Sequence, residues 1–166
     1  MITKKVKELT VENFREYGTF ADMLHPEQYK PEGASIKFYR ELVGLNLGYE
    51  NNIWFSTLKV KKRPLIVDAT EYHARCSEGV FPIDGDILIH VGPGVKAGAE
   101  IPVEKMEIFR IPRGTMVNIR PGVWHYEPFA VEQDVVNALI ILPERTYGND
   151  LFYFELPDEK RIAIEL

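Results

Sequence analysis

The chain has 166 residues, 45% of them hydrophobic and 27% charged, which suits one soluble globular domain with a substantial core and excludes a disordered chain. Its net charge of −5 gives no general attraction for nucleic acid or an anionic membrane surface. The opening run MITKKVKELTVENF lacks the apolar core of a signal peptide, and no apolar run approaches the roughly 20 residues needed to span a bilayer. Cys76 is the only cysteine, so no internal disulfide forms, and a reducing cytoplasm is the expected location.

In chain order, helix is favoured only within the first forty residues. Thr10 reads as a cap for a short helix ending near Tyr17-Gly18. From Ile36 onward, short β-rich runs alternate with Pro, Gly, Asn and Asp. Strands are expected over 53–60, 65–70, 86–91, 106–110, 116–119, 123–126, 135–142 and 151–155. The segment from Val91 to Ile101, rich in glycine, is the expected mobile loop. Trp54, Trp124, Phe38 and Tyr39 fit a core or barrel lining better than a platform for nucleic-acid bases. Arg161 to Leu166 suits either a dimer interface or an interior strand. Regular short strands without long helices point to an all-β sandwich or barrel, with residues 1–166 as one domain.

The chemistry concentrates in EYHARCSEG, residues 71–79, which holds Glu71, His73, Arg75, Cys76 and Glu78. Residues two apart on a strand share a face, so Glu71 and His73 point together. Glu78 returns after a turn, and His125 enters from a distant segment. Cys76 lies three from His73, hence on the opposite face of a strand, and reads as a bystander rather than a nucleophile. His25 and His90 read as structural.

The spacing of His73, Glu78 and Gly85 resembles the first motif of the cupin family, with Glu71 standing where that motif has its first His. The segment Pro121-Gly122-Val123-Trp124-His125 resembles the second. The resemblance implies an all-β, cupin-type double-stranded β-barrel, or jelly roll, with a short N-terminal helical segment. It also implies one divalent metal held by His73, Glu78 and His125; imidazole with carboxylate suits Ni, Mn, Zn or Fe. Glu71 is left open between ligand, general base and a partner that orients the ligands.

Phe14-x-x-Tyr17-Gly18, Glu71-x-His73 and Val117-Asn118 ahead of Val123-Trp124-His125 are together similar to the cupin-like ureidoglycolate lyase family. That resemblance implies a homodimeric carbon–nitrogen lyase of allantoin (purine) degradation, splitting ureidoglycolate into glyoxylate and urea. Glu71 would then be the base, and Tyr126 or Lys105 would protonate the departing nitrogen. Arg75 or Arg120 would clamp the substrate carboxylate, with Trp124 beside the substrate. Two alternatives stay open. One is another metal-dependent cupin enzyme, a sugar isomerase or an oxygenase. The other is a non-catalytic cupin that binds a small hydroxy-acid or sugar-like ligand.

Overall fold

Short β-rich runs broken by Gly, Pro, Asn and Asp generate most of the strands, and the computed structural model describes residues 1–27, 35–96 and 98–166. The chain enters through β1 (Ile2–Glu8), the four-residue helix α1 (Val11–Phe14) and β2 (Gly18–Asp22). Next come β3 (Ile53–Lys61), β4 (Ile66–Val67), β5 (Ala69–Tyr72), β6 (Glu78–Pro82) and β7 (Ile87–Val91). The second half holds β8 (Glu107–Ile111), β9 (Thr115–Ile119), β10 (Phe129–Ala130) and β11 (Val135–Pro143). It closes with the short helix α2 (Thr146–Asn149), β12 (Phe152–Glu155) and β13 (Ile162–Glu165).

The strands form a six-stranded sheet in the order β10-β7-β8-β1-β13-β4 and a five-stranded sheet in the order β2-β9-β6-β11-β3. A two-stranded ribbon joins β12 to β5. This is the all-β, double-sheet barrel expected of the cupin type, with a short N-terminal helical segment. Phe14, Val80, Ile87, Ile89, Phe109, Val117, Ile119 and Ile140 share one core cluster, drawn from both large sheets. A second cluster gathers Leu88, Ile108, Phe129, Leu156, Ile162 and Ile164. The strands β7 and β8 therefore bury both faces, which is why Ile87-Leu88-Ile89 reads as a continuous apolar run.

Several expectations need correcting. The N-terminal region is strand-bearing as well as helical. In β1 a half-buried face of Ile2, Lys4 and Val6 alternates with exposed residues, and the strand lies parallel to both β8 and β13. Its lysines and glutamate, good helix formers, obscured the period of two. The cap is as expected: Thr10 and Asn13 bond reciprocally around the first turn of α1. Residues 28–34 of the helix-favouring region lie outside the described residues.

Residues 123–126 form no full strand. The segment pairs with its neighbours through isolated bridges, Gly92 with Trp124 and Glu71 with His125. In the expected mobile loop, Val91 ends β7 and Gly92 makes that bridge, while residue 97 lies outside the described residues. Arg161 to Leu166 supplies β13, an interior strand between β1 and β4. Trp54 (61% exposed) and Phe38 (62% exposed) are not core residues. Trp54 sits on β3, the outer strand of its sheet, where no further strand covers it among the described residues.

The weight of the core rests on Phe109, whose ring meets Phe14 edge-on at 5.3 Å and Tyr17 at 6.0 Å. Phe109→Ala is expected to lower unfolding free energy by about 3–5 kcal/mol. Phe55→Ala, at a ring 64% exposed on β3, is expected to change it by less than about 1 kcal/mol. Urea unfolding of the two variants checks the contrast.

Candidate metal centre

Two strands joined by a short turn and one segment remote in sequence meet at the centre. Glu71 and His73 face one way from the end of β5, and β6 begins at Glu78, on the same face as the core residue Val80. His125 is docked against β5 by a pair of backbone bonds: Glu71 N–H donates to the His125 carbonyl (2.6 Å), and His125 N–H donates to the Glu71 carbonyl (2.8 Å). Gly122 sets up that approach. Its φ of 79° belongs to the left-handed region that glycine tolerates. Its N–H donates to the His73 carbonyl at 2.6 Å.

Both imidazoles are fixed in orientation and tautomer. His73 Nδ1 lies 2.8 Å from the Asp150 carbonyl, and His125 Nδ1 lies 2.8 Å from the Val123 carbonyl. A carbonyl oxygen only accepts, so each Nδ1 carries the proton and donates it. In the neutral rings each Nε2 then presents a lone pair. These two nitrogens point at the same atom, Glu78 Oε2, at 3.1 Å from His73 and 3.4 Å from His125. Ligand atoms of Glu71, His73, Glu78 and His125 all lie within 4.8 Å of one another.

Two lone pairs and a carboxylate facing one point repel unless a proton or a cation lies between them. The protonation balance reflects this. Burial pushes the Glu78 carboxyl up, but with the rings protonated the His125 charge and the Nε2–H bonds of both imidazoles outweigh it and hold the group at about 2. Burial pulls His73 down, yet the bond and charge of Glu78 raise it overall. Glu71 is raised, chiefly by burial. The donor set, two imidazoles with carboxylate oxygens and with their far nitrogens tied to carbonyls, fits a divalent first-row metal.

Asp150, which sequence reasoning missed, builds this corner twice over. Its backbone carbonyl orients His73, while its carboxylate accepts from the N–H groups of Ala74 (2.9 Å), Arg75 (2.9 Å) and Cys76 (3.2 Å). No short-range signal marks it, because it lies in the C-terminal part of the chain, on the residue that ends α2.

A cavity of about 440 Å³ opens on the cluster, lined by Glu71, Glu78, Glu127 and the phenols of Tyr126, Tyr147 and Tyr153. Leu58, Pro128, Ile140 and Leu151 complete its wall. Burial pushes the Tyr126 hydroxyl up to about 12, so it stays a donor at neutral pH. Glu127 and Pro128 were legible as the continuation of the His125 segment. Tyr147 and Tyr153 come from the distant α2 and β12, and nothing in the sequence links them to His125.

Other residues singled out from sequence lie elsewhere. Trp124, adjacent to His125, faces away into a separate cleft of about 390 Å³ with Tyr72 and Phe154. Arg75 borders a small pocket beside Leu47 and Glu50. Arg120 donates to the Arg15 carbonyl at 2.6 Å on the surface. Lys105 is exposed in a turn of 3-10 helix before β8. None of these four lines the Glu71–Tyr126 cavity. His25 is exposed and paired with Asp22, while His90 is buried, 3.1 Å from Thr70 Oγ1 and driven down to about 3 chiefly by burial.

Cys76 is buried with its thiol pushed up to about 11 by burial. At pH 8 its alkylation by iodoacetamide is expected to be at least ~100-fold slower in the folded protein than in urea, because so little thiolate forms. Asp150→Ala is expected to cost at least about 2 kcal/mol in urea unfolding, since three N–H groups lose a charged acceptor.

Solved structures with similar folds include a dTDP sugar isomerase from Desulfovibrio desulfuricans G20, 14% identical over 81% of this chain and 76% of that one, with a TM-score of 0.45. Lactobacillus farciminis oxalate decarboxylase, in a formate complex, is 12% identical over 63% of this chain with a TM-score of 0.44. The matched part is only 26% of the decarboxylase chain, so this protein spans about a quarter of that length. The 3,4-ketoisomerase QdtA from Thermoanaerobacterium thermosaccharolyticum, in complex with TDP-4-keto-6-deoxyglucose, is 16% identical over 62% of this chain and 65% of its own, with a TM-score of 0.41. No curated protein sequence matches. Residues 60–163 match the family model described as Domain of unknown function (DUF4867), which is more than half of the chain, and the protein therefore belongs to that family.

Proposed function

We propose that this protein is a metal-dependent cupin enzyme, with residues 1–166 acting as one domain, that moves a proton on a small hydroxyl-bearing carbonyl compound. The observation that carries the reading is the convergence of His73 Nε2, His125 Nε2 and the Glu78 carboxylate beside a cavity that Glu71 also lines. In this reading His73, Glu78 and His125 hold the metal. A divalent cation there supplies Lewis acidity to a substrate carbonyl or hydroxyl oxygen.

The chain's own groups divide the remaining work. Glu71 is only half-buried and faces the cavity, so it serves as the base that takes a proton from the carbon beside the carbonyl. It returns that proton to the former carbonyl carbon, while the proton of the hydroxyl on the first carbon passes to the former carbonyl oxygen by way of the Tyr126 hydroxyl, which completes the balance of an isomerisation. The hydroxyl of Tyr126, protonated at neutral pH, donates to substrate oxygens, and Tyr147 and Tyr153 present two more phenols to the cavity. Apolar side chains of Leu58, Ile140 and Leu151 pack against the carbon skeleton and displace water.

The sugar-isomerase alternative fits this cavity better than ureidoglycolate cleavage does. Ureidoglycolate is itself a carboxylate, and beyond the metal ligands it would meet Glu71 and Glu127 with no lysine or arginine in the wall. The proposed clamps Arg75 and Arg120 lie outside the cavity, as does Lys105.

The purified protein is expected to bind one equivalent of Mn, Fe, Ni or Zn, and to lose it in both His73→Ala and His125→Ala. Glu71→Gln is expected to retain the metal while slowing solvent deuterium incorporation into a substrate aldose or ketose by ~100- to 10,000-fold. Metal retained in both histidine variants would overturn the ligand assignment. Turnover of ureidoglycolate with no exchange into sugars would restore the lyase reading.

A further inference from the structure

Beside the metal cavity lies a second, smaller depression of about 210 Å³, lined by Leu58, Lys59, Val60, Lys61, Arg63, Glu127 and Pro128. It shares Leu58, Glu127 and Pro128 with the metal cavity, so the two hollows meet across one wall. Their chemistry is opposite. The metal cavity has three carboxylates and no cation in its lining, whereas the depression has three cations and one carboxylate, that of Glu127.

These cations are not consumed by the fold. Among the described residues, Lys59, Lys61 and Arg63 make no salt bridge, although the chain carries an excess of acidic side chains. Arg63 is nevertheless fixed: its guanidinium lies 3.8 Å over the Phe129 ring, and its Nη2 donates to the Glu127 carbonyl at 3.1 Å. Only part of its donor fork is used, which leaves N–H groups for an anion. Lys59 and Lys61 are exposed on β3 two residues apart, so they project on the same face of the strand.

We propose that this depression binds a phosphoryl group, so that the substrate is a phosphorylated compound whose uncharged, hydroxyl-bearing end enters the metal cavity. An anion excluded from a carboxylate-lined cavity and held by a fixed guanidinium with two ammonium groups also sets the direction in which substrate enters. The proposal rests on the metal cavity being the catalytic site, and it names the substrate class of that site. Two sources share the phosphoryl chemistry, a sugar phosphate and a nucleoside diphosphate derivative.

The test is calorimetric titration of metal-free protein with inorganic phosphate, glucose 6-phosphate, uridine diphosphate and glucose. Saturable binding of the phosphorylated probes, with none of glucose alone, is expected for the wild type. Lys59→Ala/Lys61→Ala, at two exposed side chains, is expected to weaken it about tenfold or more. Tighter binding of glucose 6-phosphate than of uridine diphosphate assigns the sugar-phosphate source, and the reverse order assigns the nucleotide. Lys96→Ala, in the cleft that also holds Trp124, is expected to leave binding unchanged. The proposal is overturned by absence of binding to all three phosphorylated probes, by unchanged affinity in the double variant, or by equal loss in Lys96→Ala. Because the protein is metal-free in this titration, a failure here is distinct from a failure to bind metal or to exchange protons.

Discussion

The burial of the Glu78 carboxylate governs the arrangement of the whole site. An ionised carboxylate removed from water costs several kcal/mol unless it is paired and hydrogen-bonded. Here the compensation comes from two imidazoles, His73 and His125, on segments far apart in the chain. The fold must therefore bring β5, β6 and residues 122–125 together with sub-ångström tolerance. The backbone pair between Glu71 and His125, the Gly122 turn and the Asp150 carboxylate are the means of doing so. That compensation requires a proton on the rings; when they are neutral the same scaffold aims two lone pairs and a carboxylate at one point, and preorganisation of this kind is what a cation site needs.

The barrel gives the centre its rigidity and its asymmetry. Strands β7 and β8, buried on both faces, separate a core that backs the His–Glu cluster from a second core that includes Trp124. The consequence is two hollows with different characters. Glu71 and Glu78 look into a carboxylate- and phenol-lined cavity, while the intervening Tyr72 and the neighbouring Trp124 look into an aromatic cleft. Which side chains reach which hollow is thus decided by parity: a one-residue shift along β5 or at residues 123–125 would exchange the polar set for the aromatic one.

Charge placement adds the other constraint on chemistry. The cavity wall nearest the ligand cluster is acidic and phenolic, and the cations closest to its mouth lie on β3 and at Arg63 rather than in the wall. A substrate that fits both regions has an uncharged reacting end and an anionic far end. The arginines expected as clamps serve the surface instead, Arg120 by holding the carbonyl of Arg15. A guanidinium near a motif in sequence need not be near it in space, since the turn at 74–76 directs Arg75 away while its backbone is tied to Asp150.

Short-range periodicity makes much of this protein legible from its sequence. The alternation of Glu71 and His73, the apolar run of β7 and the capped helix at Thr10 all follow from neighbours within a few residues, whereas Cys76 sits in a turn and owes its raised pKa to burial beside Thr146 and Asp150. The same parity rule applied to Trp124 beside His125 turns the tryptophan away from the site. Strand β1 is hidden because its exposed positions carry lysine and glutamate, whose helix propensity mimics another period. What tertiary structure alone decided was which distant groups converge: Asp150 behind His73, Tyr147 and Tyr153 on the cavity, Arg63 stacked on Phe129. Those contacts join segments whose approach is set by sheet order and register, and sheet order is fixed by the burial of the two cores together, a property no local window of sequence contains.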